Sequence, residues 1–371
     1  MNNQNNDTLF ESAPEDLKRE LALLEENHSS RINQYLDSSE SPIYYKYLKE
    51  GVEGYFEANE LVINSFDELH KGITTLISKT PDLPLVWRGV KDSSWGLHSS
   101  LFRELMEDNG VENPKNGSSS PQFYPDEAQM INAEKQILKI ARHDWRFDNL
   151  SALETFARIQ HAGGPTRLID VTKNPYIGAW FAVESDKYRD NEDARLFAIA
   201  THPVSKPGEP LPPNSELKLD ALGASREPFW HYFGNNRTRT KFDWGTGARR
   251  RIWVPPIYDP RISAQNAAFL IDGVPITSQS VASYFTVSPN VYWSRADLLA
   301  SSSIYAKMYS PKKTPRPAKT NLAPTFSFRI TAKAKEEIRL FLESRFGYRS
   351  SYLYPDMAGI ATFISKMDFN S

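Results

Sequence analysis

The chain has no cysteine. That single absence excludes disulfides, thiolate nucleophiles, zinc–thiolate sites and iron–sulfur clusters. Long apolar runs are missing as well. No stretch approaches the roughly 18 residues of a membrane span, and Met1 to Asp7 is polar, without the apolar centre of a secretory leader. Both absences predict a cytoplasmic protein with no membrane partner. There is no Walker loop, no HExxH and no Gly-x-Ser-x-Gly elbow, and the seven histidines are scattered. No metal is therefore expected.

Net charge is nearly absent too, at −2, but the balance hides an asymmetry. Residues 1–60 hold thirteen Asp/Glu against five Lys/Arg. Residues 226–253 hold seven Lys/Arg against Glu227 and Asp243, and Lys307, Lys312, Lys313, Arg316 and Lys319 stand in an acid-free stretch. An acidic front and a basic back predict an anionic partner for the back.

What is present is a loop-rich globular chain of 371 residues, 12% aromatic and with 25 prolines, long enough for a sizeable core. Residues 1–60 read as a helical extension, with leucines at helical spacing over 14–27 and aromatics over 43–60; an antitoxin or other protein partner would dock there. Residues 61–371 read as the main domain, with a basic, aromatic insertion at 203–256 and a basic loop at 307–324.

Within the main domain, Ser65 ahead of Asp67 and Glu68 is a helix start, with Leu69, Ile73 and Ile77 as its buried stripe. Helices follow at 126–148, 150–162, 333–345 and 356–366. Another is opened by Asn174 and Pro175 and buries Ile177, Trp180 and Phe181. Strands are expected at 83–90, 168–171, 195–200, 250–256, 267–271, 281–287 and 326–330. Helices and strands mix without strict βαβ alternation. The fold class is therefore α+β, with a mainly antiparallel mixed sheet flanked by helices.

Chemistry concentrates in Ile159-Gln-His-Ala-Gly-Gly-Pro-Thr-Arg-Leu-Ile-Asp-Val-Thr172. Gln160, His161, Thr166, Arg167, Asp170 and Thr172 offer more hydrogen-bonding groups than a turn needs. Gly163 and Gly164 admit positive φ or close backbone approach. The pattern predicts a ligand site on a loop between a helix and a strand. The competing reading is a buried polar network in which Arg167 bridges carbonyls and Asp170. Trp87-Arg88-Gly89 closes a short apolar strand, where a guanidinium can grip phosphate bidentately or snorkel over Trp87 or Trp95.

Together these motifs resemble the FRG-domain family. The resemblance rests on Arg88-Gly89, Leu97-His-Ser-Ser-Leu-Phe-Arg103, the 160–172 core, Asn174-Pro and Ala179-Trp-Phe-Ala182, with Pro260-Arg-Ile-Ser-Ala-Gln265 and Leu353-Tyr-Pro-Asp356-Met-Ala-Gly359 as later motifs. It covers about residues 64–366. Trp87 stands where the family has Phe or Tyr, and Ala162 and Gly163 where bulkier residues are common. The family occurs in bacterial and phage-related proteins, including defence-type genes.

The motif order also looks like that of ADP-ribosyltransferases of the Arg–Ser–Glu class. That likeness implies an ADP-ribosyltransferase-like sheet and NAD as substrate. Arg88 and Gly89 would hold phosphate and ribose. Gln160, His161, Thr166, Arg167 and Phe181 would shape the NAD pocket. Asp170 and Thr172 would address the ribose, with Asp356, backed by Glu184, as a second acid. Ser351 stands where the class carries its catalytic Glu. Another acid would act, or NAD would bind without transfer, or the likeness would be architectural only.

Residues 229–253 interleave cations with rings. Bases of single strands stack on aromatic faces while Lys and Arg neutralise phosphate. Arg237, Arg239, Lys241, Trp244, Arg249, Arg250 and Arg251 are therefore expected to bind RNA or single-stranded DNA, against the alternative of a core edge flanked by solvated charge. The leading expectation is a toxin-like ADP-ribosyltransferase modifying nucleic acid. The rivals are a non-catalytic nucleotide-binding regulatory module and an NAD glycohydrolase or nuclease.

Overall fold

Side-chain alternation sets the frame. Along residues 194–200 every residue is buried, and alternate positions enter different cores: Leu196 and Ala198 one, Phe197 and Ile199 the other. Such a strand is covered on both faces and must lie inside the sheet. The computed structural model describes residues 11–15, 17–19, 51–111, 123–206, 208, 216–217, 226–277, 285–288, 291–317 and 322–366.

In chain order the elements are α1 (Gly51–Glu57), β1 (Leu61–Ile63), α2 (Phe66–Lys79), β2 (Leu85–Val90), α3 (Ser100–Asp108), α4 (Glu127–His143), α5 (Ala152–His161), β3 (Ile169–Thr172), α6 (Pro175–Val183), β4 (Ala194–Ala200), β5 (Glu216–Leu217), α7 (Asn236–Lys241), β6 (Arg251–Trp253), α8 (Pro260–Ala264), β7 (Ala267–Ile271), β8 (Thr286–Ser288), β9 (Val291–Tyr292), α9 (Arg295–Ser301), β10 (Lys307–Met308), β11 (Pro324–Ile330), α10 (Ala332–Phe346), α11 (Ser350–Leu353) and α12 (Met357–Lys366). A 3-10 turn occupies Phe229–Tyr232.

Nine strands make one sheet in the order β1-β11-β4-β2-β3-β7-β6-β5, with β10 also on β11. Every pair from β11 to β6 is antiparallel, and the parallel pairs are β1–β11, β10–β11 and β5–β6. This is the mixed, mostly antiparallel α+β sheet that the pattern predicts. One face packs Trp87, Leu196, Phe326 and Phe328 under α2, α6 and α10. The other packs Val86, Val171, Phe197 and Ile199 under α1, α3 and α9. A third cluster joins α4 and α5 to the 229–253 segment.

Local signals place the elements that matter. Ser65 accepts from the Glu68 amide, and Asn174 accepts from the Tyr176 and Ile177 amides with Pro175 in the first turn. Ser151 and Glu154 close a capping box on α5. Some boundaries differ from expectation. Ile77 is exposed and Leu76 takes its place in the stripe, because a period of 3.6 favours the i+3 step there. The helix from 127 ends at His143, leaving Trp145 exposed. β1, α3 and α9 were not legible. The helices expected over 14–27 and the aromatics over 43–50 lie mostly outside the described residues, as do positions 281–284. The described parts of the N-terminal region are anchored: Ala13 and Leu17 in one core, Val52, Tyr55 and Phe56 in another. Among the described residues no helix is long and apolar enough to cross a membrane.

Candidate functional site

The sheet forks at its centre. β2 and β3 pair only at Trp87 and Thr172. Beyond that point β2 continues on β4 and β3 continues on β7, so Arg88–Val90 and Asp170–Val171 part company. A cleft of about 980 Å³ occupies the fork, lined by both strand segments and by residues from α3, α5, α6 and α8. Arg88, Gly89, Gln160, His161, Asp170, Thr172 and Phe181 all line it.

Arg88 spans the fork. Its guanidinium donates to the Asp170 carbonyl at 2.7 Å and lies 3.8 Å from the Asp170 carboxylate. Burial pulls this guanidinium below its ordinary value, although Asp170 opposes the shift. Its buried Nε has no hydrogen-bond partner. Asp170 is exposed, and Gln160 fixes it by donating to the carboxylate at 2.8 Å. Gln160 is held in turn through its other amide proton on Leu168 O and through Thr166, which donates to Gln160 Oε1. Gly89 matters here for its size. A Cβ would stand 2.1 Å from Gly178 O, so glycine lets α6 lie directly on β2 and brings Phe181 and Glu184 to the cleft.

Residues 84–191 match the FRG domain family model. The protein carries an FRG domain. The match spans both arms of the fork and the helices from α3 to α6. No curated protein and no solved structure matches the chain.

Segments outside the matched span complete the FRG cleft. Tyr258, Arg261 and Gln265 come from around α8, and Tyr354 from the end of α11. Arg261 holds Asp356 through two contacts, and that pairing keeps the carboxylate below its ordinary range. His161 Nε2 lies 3.0 Å from Asp259 Oδ2. Lys91 is committed to Glu184 at 2.7 Å and Asp186 at 3.5 Å. His98 is buried and its Nε2 meets Leu299 O at 2.7 Å. Burial pushes this imidazole down to about 4, so the ring is neutral at pH 7 and offers Nδ1 as an acceptor. Trp95, 44% exposed, stands at the mouth with Arg189 over its ring. Lys91, His98, Arg103, Tyr258, Arg261, Gln265 and Tyr354 line the cleft without a role expected from the sequence. Several sat inside quoted motifs, namely His98, Arg103, Arg261, Gln265 and Tyr354.

His161, Asp259 and Asp356 each bring one atom within 4.8 Å of the others. Each is already partnered, Asp356 by Arg261 and the Gly359 amide, Asp259 by His161 and the Arg261 amide. The cluster is a closed ion-pair network.

Several expected roles are corrected by position. Arg167 does not reach the cleft, nor Asp170. It is buried against Glu127 and Glu134 at 2.9 and 2.7 Å and beneath Trp230 and Trp244. Thr166 is wholly buried and acts through Gln160. Thr172 lines the cleft but donates its hydroxyl to Gln265 O at 2.7 Å, so that proton is spent on the scaffold. Asp356 is bound to Arg261 beside the cleft and is not among its lining residues.

The expected nucleic-acid surface is largely core. Trp244 is 0% exposed, Arg250 0% and Arg251 1%, and Arg239 and Arg249 are buried as well. Arg250 donates to the carbonyls of Ala200, Tyr305, Pro324 and Ala323. Arg251 donates to Asp243 O and Phe242 O and stacks over Phe229 and Trp244. Arg239 donates to Asn236 and Val274 O. These guanidinia tie loops together where carbonyls would otherwise be buried unpaired. Of the seven residues, only Arg237 and Lys241 are exposed.

Proposed function

We propose that the FRG cleft binds NAD and that the protein is an ADP-ribosyltransferase, a toxin-like effector of the defence setting in which the family occurs. The observation that carries this reading is the sheet fork itself, which sets the Arg88 guanidinium and the Asp170 carboxylate on opposite arms of one cleft. About 980 Å³ lies near the top of the roughly 300–1,000 Å³ range of ligand pockets, in keeping with a dinucleotide. A half-buried guanidinium with an unpartnered Nε–H suits a pyrophosphate. Phe181, Tyr258 and Tyr354 supply ring faces for nicotinamide and adenine.

Bound NAD supplies a ribose C1′–nicotinamide bond whose cleavage leaves positive charge on the ribose. Asp170, fixed by Gln160, is the carboxylate that meets that charge. Glu184 and Asp186 share the single charge of Lys91, which draws on both carboxylates, so they answer less well. Ser351 is exposed on α11 and lies off the cleft lining, so the acid role passes to Asp170. The burial of Arg239, Trp244 and Arg249–Arg251 removes the feature that pointed to nucleic acid as acceptor, and the proposal leaves the acceptor unassigned.

The test is incubation of the protein with NAD labelled on the adenylate and with cell extract. Label on macromolecules supports transfer. Nicotinamide release alone makes the protein a glycohydrolase. Binding with neither makes it a nucleotide-sensing module, and no binding ends the reading.

A further inference from the structure

We propose that His161, oriented by Asp259, is the general base that activates the incoming nucleophile. The proposal rests on the NAD reading above and goes beyond it by assigning the proton acceptor. α5 ends at the cleft, and its last two residues carry different tasks. Gln160 holds the Asp170 carboxylate at 2.8 Å. His161, next along, lines the same cleft and reaches Asp259 at 3.0 Å. Gly163, at φ 89°, turns the chain away immediately afterwards.

The tautomer follows from the partner. A carboxylate has no proton to give, so His161 Nε2 carries the hydrogen and donates it to Asp259. In the neutral ring Nδ1 then keeps its lone pair. Asp259 is itself immobilised, because its other oxygen caps α8 by accepting the Arg261 amide at 2.8 Å. Nucleophile activation by an imidazole whose far nitrogen is pinned by a fixed carboxylate is a recurrent catalytic arrangement. Asp259 and Asp356 each bring a carboxylate oxygen within 4.8 Å of a His161 ring nitrogen, Tyr258, Arg261 and Asp170 line the same cleft, and Arg158 lies over the Tyr258 ring.

The step balances. The ribose C1′–N bond breaks and its electron pair leaves with nicotinamide. The lone pair of a neutral O–H or N–H nucleophile, an alcohol, amide or water, forms the new C1′ bond. Its proton passes to His161 Nδ1, and the resulting imidazolium is paired with Asp259.

The experiment uses the full chain and follows nicotinamide release from NAD over pH 5–9, with cell extract or water as nucleophile. Binding of NAD is measured beside it by calorimetry. His161→Ala is expected to lower kcat about 100-fold or more, leave KM for NAD within about threefold and recover with added imidazole. Asp259→Asn keeps the α8 cap, since Asn caps as well as Asp, and loses only the carboxylate; kcat is expected to fall about tenfold with KM unchanged. Full release by His161→Ala, or loss through KM alone, overturns the dyad while leaving the NAD reading intact. Release that is abolished by EDTA and restored by Mn²⁺ or Zn²⁺ makes the cluster a metal centre and overturns it too. No NAD binding by the wild-type chain brings down the NAD reading and the dyad with it.

Discussion

At the scale of single residues, the cleft separates groups that hold from groups that are held. Arg88 is both: one N–H holds the Asp170 carbonyl while Nε has no partner. Arg88→Lys keeps the charge and loses the fork of donors, so it is not a conservative change here. It is expected to weaken NAD binding tenfold or more, about 1.4 kcal/mol, read by calorimetry; unchanged affinity would remove Arg88 from the phosphate role. Gln160→Leu frees the Asp170 carboxylate and strips Thr166 of its acceptor. It should cut turnover more than NAD affinity, read as a fall in kcat with KM nearly constant. The sequence made the six polar residues of the 160–172 stretch visible as a group. It could not say which of them point into the cleft. Arg167 differs from Asp170 only in facing Glu127 and Glu134, and that pairing comes from a helix more than thirty residues upstream.

At the scale of elements, the fork depends on how closely α6 lies on β2. Gly89→Ala places a Cβ 2.1 Å from Gly178 O and 2.5 Å from Ala182 N. Backbone atoms cannot yield as a side-chain tip can, so α6 must lift, at a cost of about 1–3 kcal/mol or more. Gly163→Ala meets nothing within 4 Å and carries only the strain of φ 89°, about 1–2 kcal/mol. Thermal melts should therefore rank Gly89→Ala as the less stable variant, with NAD binding impaired in it alone. The reverse order would show that α6 relaxes freely. Elements opened by strong caps, α2 at Ser65, α5 at Ser151 and α6 at Asn174, were legible because their signal is local. β1 and α9 were not. β1 is three residues long and exists through its parallel pairing with Phe328–Ile330, and α9 packs against α1, so their evidence lies far away in the chain.

At the scale of the whole molecule, part of the charge asymmetry among the described residues is spent inside the fold. Glu60, from the acidic front, is buried against Arg195 at 3.1 Å and Arg329 at 2.9 Å. The basic, aromatic segment 229–253 closes over α4 instead of facing solvent: Trp230 and Trp244 stack at 5.0 Å and donate to Glu134 and Glu127. Cations and rings in alternation fit a stacking surface or a core equally well. The deciding carboxylates, Glu127 and Glu134, sit on α4 with nothing in the local sequence to mark them as buried. Their burial makes a pH prediction. Burial alone would raise Glu134, but Arg167 and His231 outweigh it and hold the carboxyl at about 2, against an ordinary 4.5. At pH 7 the group is ionised both folded and unfolded, and its contribution is complete. Between about pH 4.5 and 2 the unfolded chain takes up a proton that the folded chain refuses, so stability falls as pH falls. Urea midpoints measured from pH 7 to 3 should decline steeply below about 4.5. Glu134→Gln should start lower at pH 7, by the roughly 3–5 kcal/mol of a broken buried ion pair, and lose part of that acidic slope. A variant as stable as wild type at pH 7, or one with the same slope, would mean that Arg167 finds other partners and that the third cluster does not depend on Glu134.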